Sequence, residues 1–293
     1  MRWLLAVLAL SSCSDGVDRS IAEVTGPRIL AVRAEPPESA LGATVTYTAL
    51  VATPAGPVTA SDLTWSFCTA APTRAENGPV SQACIASVGT QDAIGMTVTL
   101  KTPADVCRRF GPLGLPAEDA TSVTQPLLPD ATGGYYQPLR LSWQDSIAWA
   151  LERLTCDPTG VSLDLAQAYR TARKANQNPQ LLSVVATVAG QPVVDTIAAS
   201  STVDLLASWS DESAEAYITV DAEQAILLSH TENLWVAWFT NGGIIEHDIT
   251  TSVGGTADNR WHAPTTPGTF FVWAVLHDDR GGMDFLQTTF SVD

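Results

Sequence analysis

Apolar and polar residues alternate with period two over short stretches along much of this chain, as expected for strands buried on one face. In Ala43-Thr44-Val45-Thr46-Tyr47-Thr48-Ala49-Leu50-Val51, residues Val45, Tyr47, Ala49 and Val51 share a face. In Asp62-Leu63-Thr64-Trp65-Ser66-Phe67-Cys68, Leu63, Trp65 and Phe67 do the same. A β-prone run from Arg28 to Glu35 precedes them, closed by Pro36-Pro37, and Pro54 and Gly56-Pro57 punctuate the interval. The succession predicts the opening of a β-sandwich.

The spacing loosens over residues 69–178, where only Met96-Thr97-Val98-Thr99-Leu100 and Gln137 to Trp143 read as strands. Two helices are expected there. One opens at Asp145, carries Ile147, Ala150, Leu151 and Leu154 at helical spacing, and is stopped by Cys156-Asp157-Pro158. The other covers residues 163–175, with Arg170, Arg173 and Lys174 near its C-terminus, where the helix dipole favours cations. Strands resume over residues 180–188 and 193–197 around a Gly190-Gln191-Pro192 turn. Two strands alone are marginal, so this hairpin is expected to complete the first sandwich, making residues 69–178 an insertion. From residue 200 onward about six further strands, the hairpin signal Asn241-Gly242-Gly243 and the turn signals Pro267-Gly268 and Arg280-Gly281-Gly282 predict a second sandwich.

Length and composition fit two domains: 293 residues, 45% hydrophobic, with nine Trp to fill cores. Charge is one-sided, with 15 Lys and Arg against 31 Asp and Glu for a formal −16. Such a surface repels nucleic acid and anionic lipid headgroups, so no nucleic-acid partner is expected.

At the N-terminus, Arg2 is followed by the apolar run Trp3 to Leu10 and then Ser11-Ser12-Cys13. The run is shorter than the roughly 20 residues needed to span a bilayer. It resembles the lipobox of bacterial lipoproteins, an ordinary secretory signal peptide being the alternative. The resemblance implies cleavage of residues 1–12, lipidation of Cys13 and a tether over residues 13–26. Ser14 follows Cys13, where an aspartate is the inner-membrane retention signal of enteric bacteria, so the resemblance also implies outer-membrane sorting.

Setting Cys13 aside leaves Cys68, Cys84, Cys107 and Cys156, an even number suited to an oxidising compartment. Four cysteines allow three connectivities; the expectation is Cys68 with Cys84 and Cys107 with Cys156, local staples in the irregular middle. Zinc is disfavoured, because there is no CxxC pair and no His between Cys68 and Cys156.

The order strand, Pro-Pro turn, alternating strand, Pro/Gly loop, Trp-centred strand resembles immunoglobulin-like domains of myxobacterial-type envelope lipoproteins, with Trp65 at the core tryptophan position. Cys68 lies on the Trp strand itself, so the antibody-type disulfide is absent. The closing run from Trp261-His262-Ala263-Pro264 through Asp278-Asp279-Arg280-Gly281-Gly282 to Val292 resembles polycystic-kidney-disease (PKD)-like modules.

Candidate chemistry is sparse. His230, His247, His262 and His277 stand far apart in sequence and outside any HExxH, and no GxSxG elbow or glycine-rich phosphate loop occurs, so neither a catalytic residue nor a cofactor is assigned. Asp278-Asp279 could offer oxygens to calcium, but a turn whose carboxylates cap backbone N–H groups accounts for them more simply. Asp211-Glu212-Ser213-Ala214-Glu215 reads as a solvated loop. Trp238 and Trp261, near loop ends, are the candidates for stacking on a glycan or contacting a partner.

The resulting expectation is a mainly β protein with two immunoglobulin-like antiparallel β-sandwiches, residues 27–199 and 200–293, the first with a partly helical, disulfide-stapled insertion. Its expected role is a non-catalytic, lipid-anchored outer-membrane protein that binds or supports an envelope protein or glycan. The alternatives are a carbohydrate-binding lipoprotein and a hydrolase with its site in residues 69–178.

Overall fold

The computed structural model describes residues 21–70, 80–86, 92–109, 133–158, 161–193 and 196–293. Cys13 and the signal run lie outside the described residues. The first sandwich contains β1 (Arg28–Glu35), β2 (Glu38–Ser39), β3 (Thr44–Thr53), β4 (Gly56–Pro57), β5 (Thr64–Phe67), β6 (Ala93–Ile94), β7 (Thr97–Lys101), β8 (Gly134–Trp143) and β9 (Ser146–Thr155). One sheet places β3 between β1 and β7, with β4 on its end; the other runs β2-β9-β8-β5-β6. The alternation read in the sequence fills the space between them: Val45, Tyr47, Ala49 and Val51 face Leu63, Trp65, Leu139 and Leu141, all buried.

The second sandwich contains β10 (Leu181–Val188), β11 (Gln191–Pro192), β12 (Thr196–Ile197), β13 (Thr202–Trp209), β14 (Ala216–Asp221), β15 (Ile226–Thr231), β16 (Trp235–Thr240), β17 (Ile244–Ile245), β18 (Ile249–Thr251), β19 (Thr256–His262), β20 (Gly268–His277) and β21 (Met283–Val292). Its sheets run β11-β10-β13-β19-β17 and β12-β21-β20-β16-β18, while β14 and β15 form a separate hairpin.

Both sandwiches obey one strand plan. In chain order, the first, second and fourth main strands form one sheet and the third, fifth and sixth the other, with a short early strand running parallel to the last: β2 on β9, and β12 on β21. This is the immunoglobulin arrangement of ABE(D) against CFG. A fully buried tryptophan occupies the third main strand in each, Trp65 on β5 and Trp238 on β16. Each indole N–H reaches toward the neighbouring edge, Trp65 donating to Gly95 O at 2.7 Å and Trp238 to Thr250 Oγ1 at 2.8 Å.

Four expectations are corrected. Residues 146–155 form a strand and not a helix, because Gln144 adopts φ 50° and turns the chain back in a two-residue hairpin, pairing β9 with all of β8. Ile147 and Leu151, counted toward a helical face, are exposed on the outer face of the sheet. Secondly, the hairpin of β10 and β11 belongs to the second sandwich: β10 pairs with β13 from Leu181↔Trp209 to Thr187↔Asp204, and Leu181 joins that core. The first sandwich therefore ends with β9, which with β8 supplies the strands the hairpin was expected to contribute.

Thirdly, residues 69–178 are not one insertion. Their described part holds four strands of the first sandwich, β6 to β9, two stapled connections, with α1 (Gln82–Ala86) tied by Cys68–Cys84 and α2 (Val106–Arg109) tied by Cys107–Cys156, and the linker helix α3 (Leu163–Ala172). Lastly, Asn241-Gly242-Gly243 crosses from one sheet to the other, since β16 pairs with β18 and β20 whereas β17 pairs with β19. Helix α3 is capped by Ser162, whose Oγ accepts from Leu165 N, and it is anchored by buried Ala166 and Tyr169.

The sandwiches share buried apolar surface. Val24, Ala52 and Trp273 pack together, backed by Leu30, Leu50, Phe239 and Phe271. Gly56, at φ +116°, lets the β3–β4 turn press on the Phe271 ring, where any Cβ would overlap it. The segment entering β1 straps the pair: Val24 N donates to Thr240 O and Thr240 N to Ala22 O, both at 2.8 Å.

Candidate functional site

A buried polar hub sits where the sandwiches and the linker meet. The β20–β21 turn builds it: Asp278 Oδ1 accepts from the backbone N of Arg280 and Gly282 at 2.9 and 2.7 Å, and Gly281 takes φ +100°. The turn aims Arg280 inward, leaving it 4% exposed. Its Nε donates to Glu232 Oε1 at 2.6 Å, Nη2 to Glu215 Oε2 at 3.1 Å and Nη1 to Lys174 O at 3.2 Å, and its guanidinium lies over the Tyr217 ring. The acidic stretch read as a solvated loop thus contributes Glu215 to this hub.

Glu38 completes the hub from the first sandwich. It accepts from Asn176 N at 2.9 Å and Thr155 Oγ1 at 3.0 Å, with Arg153 and Arg173 at 3.6 and 3.4 Å. Asn176 also donates to Asp278 Oδ2, so the linker touches acids of both domains. Burial pushes Glu232 up to about 7, Asp278 and Arg280 having smaller, opposed effects, and burial raises Asp278 as well. These carboxylates accept from arginines and backbone amides, the work of a joint and not of a general acid–base pair facing a cleft.

A second buried acid lies within the first sandwich. Glu152, opposite Gln137 on β8, accepts from Ser39 Oγ at 3.1 Å, and burial pushes it up to about 8. Glu152 Oε2, Gln137 Oε1 and the Tyr47 hydroxyl are buried and have no hydrogen-bond partner among the described residues. A protonated Glu152 supplies a donor that an ionised one lacks.

A groove of about 870 Å³ lies at one end of the second sandwich, within the size range of ligand sites. Trp209, Leu234, Trp235 and Ile249 give it apolar walls, and Asp211 and Gly254-Gly255 stand at its margin. Trp235 stacks on His277, centroids 5.3 Å apart, and burial drives that imidazole down to about 4.

Trp238 and Trp261 are both 0% exposed, which removes them as stacking platforms for a sugar or partner. Trp238 fills the core, and Trp261 stacks on Phe290 and donates to Gly242 O. The sequence signal was phase: Val236, Trp238 and Thr240 point inward, whereas Trp235 lies on the opposite face and lines the groove. The bonds Cys68–Cys84 and Cys107–Cys156 are present. Asp279 accepts from Asn233, and among the described residues no group of three or more His, Cys, Asp or Glu could hold a metal ion. No helix among them is long and apolar enough to cross a membrane.

No protein-family model and no curated protein matches the chain. Among solved structures it is similar to the D0-D1 domain of intimin, at 12% identity and TM-score 0.24, covering 89% of this chain and 98% of that one. Similarity to the D00-D0 domain of intimin gives 12% identity and TM-score 0.27, with 90% and 100% covered. The human OSCAR ligand-binding domain gives 14% identity and TM-score 0.21, with 89% and 98% covered. The fold assignment accordingly stands on strand order and register.

Proposed function

We propose that this chain is a lipid-anchored protein of the bacterial outer membrane whose two joined immunoglobulin-like sandwiches act as a non-catalytic binding or structural module. The observation that carries the module reading is the joint: apolar packing at Trp273, the Arg280 hub and the strap at Thr240 hold both domains to one another. A module built this way presents distant surfaces at a fixed spacing. The anchoring part rests on Leu10-Ser11-Ser12-Cys13. Eight residues lie between Cys13 and Ala22, nine Cα steps with a reach of at most about 30 Å, so the body would stand close to the membrane. The glycan-binding alternative loses its two named tryptophans to the core.

Anchoring is tested by expressing Cys13→Ala in a Gram-negative host with a palmitate analogue. Loss of label and release from the membrane fraction are expected; a variant still labelled and anchored contradicts the reading.

A further inference from the structure

We propose, building on the binding-module reading, that the free edge of β18 and the groove beside it take up an extended, lysine- or arginine-bearing segment of a partner protein by strand addition. Among the described residues, strand β18 ends its sheet, pairing with β16 alone. Trp238 N donates to Asp248 O at 2.9 Å and Ser252 N to Leu234 O at 3.1 Å. Hydrogen-bonded pairs alternate in an antiparallel ladder, so Val236 and Thr250 are the bonded pair between them. The peptide groups of Ile249 and Thr251 therefore point away from β16, along the open edge.

Those same two residues line the groove, and Ile249 is 56% exposed. An added strand would find hydrogen-bonding groups along the edge and an apolar wall of Trp235, Leu234 and Trp209 for alternate side chains. Natural sheets commonly protect such edges with Lys, Pro or a bulge, and β18 reads Ile249-Thr250-Thr251.

Charge selects the occupant. Residues 181–293 carry fifteen Asp and Glu against two Arg and no Lys, a formal −13. Both arginines are engaged, Arg280 in the hub and Arg260 with Asp204 and Glu246. Asp211 at the groove margin is exposed and forms no ion pair among the described residues. A basic segment would be drawn in and oriented by this field, whereas an acidic one would be repelled.

The test titrates the full chain with a capped peptide of four Lys-Val repeats, following tryptophan fluorescence and heat. The controls are a Glu-Val peptide, a Lys-Val peptide N-methylated at alternate residues, and spermine. The Lys-Val peptide is expected to bind, with affinity falling about tenfold on N-methylation and in Ile249→Lys and Asp211→Lys, the loss typical of a central contact. Glu223→Lys, which reverses an exposed charge away from the groove lining, should change it less than about twofold. Both groove positions are exposed, so these variants should fold, which equal melting temperatures would verify. The proposal is overturned by absent Lys-Val binding, by equal binding of the Glu-Val or N-methylated peptide, by spermine binding as tightly, or by Glu223→Lys weakening binding as much as Asp211→Lys. Anchoring through Cys13 is read separately, so failure of either result leaves the other interpretable.

Discussion

Arg280 and Glu232 form a buried pair in which Nε lies 2.6 Å from Oε1, and around it three further groups, Glu215, Glu38 and the Lys174 carbonyl, come within 4 Å of the same guanidinium. The pair lies inside the second domain, as does Glu215, yet Lys174 belongs to the linker and Glu38 to the first sandwich. Removing the cation would leave buried carboxylates uncompensated.

Arg280→Met should therefore destabilise the protein by about 3–5 kcal/mol. Arg280→Lys should recover only part of this, since an ammonium cannot reproduce the fork shared between Glu232 and Glu215. Urea unfolding of the three proteins checks both statements.

A pH dependence follows from Glu152. Its folded pKa of about 8 lies above the ordinary carboxyl value of 4.5, so the folded state holds a proton that the unfolded chain releases. This contribution to stability is full below about pH 4.5 and is lost as pH rises through about 8. Glu232, raised to about 7, acts in the same direction. Glu152→Gln should flatten the decline in melting temperature between pH 5 and 9 (about that window) and raise stability at its alkaline end. An unchanged slope would show that Glu152 is not the group responsible.

The two disulfides should differ in worth. Cys68–Cys84 closes a separation of 16 residues and Cys107–Cys156 one of 49. On chain entropy, Cys68→Ser with Cys84→Ser should cost about 3 kcal/mol, and Cys107→Ser with Cys156→Ser about 4. Denaturant unfolding of the double variants gives the comparison.

Trp238→Ala should cost about 3–5 kcal/mol, the loss expected for a large core aromatic. Trp235→Ala should cost less, because Trp235 is half-buried and packs at the groove against His277. Equilibrium unfolding separates the two, and a larger loss at Trp235 would contradict the placement of the core.

Much of the architecture was legible as alternation: Val45, Tyr47, Ala49 and Val51 face the core as their period implies. Legibility failed where tertiary contact covered both faces of a strand. On β16 the outward Phe239 is packed beneath the first domain, so apolar residues run without interruption and the phase of Trp235 against Trp238 is hidden. On β9, Ile147, Ala150, Leu151 and Leu154 happen to fall at helical spacing, and the turn at Gln144, with no glycine to mark it, overrides that pattern. The joint was illegible because Glu38, Glu232 and Arg280 are up to 242 residues apart and meet only through the linker. The Asp278 turn was the exception, since an aspartate ahead of Arg280-Gly281-Gly282 announced its own backbone caps.

The contacts at Trp273, Arg280 and Thr240 should hold the two sandwiches as one rigid body. Residual dipolar couplings of backbone amides, measured separately for residues 28–155 and 181–293 in the full chain, test it most directly. One alignment tensor fitting both sandwiches in the orientation described is the predicted result. Tensors of different magnitude or direction for the two domains would contradict it.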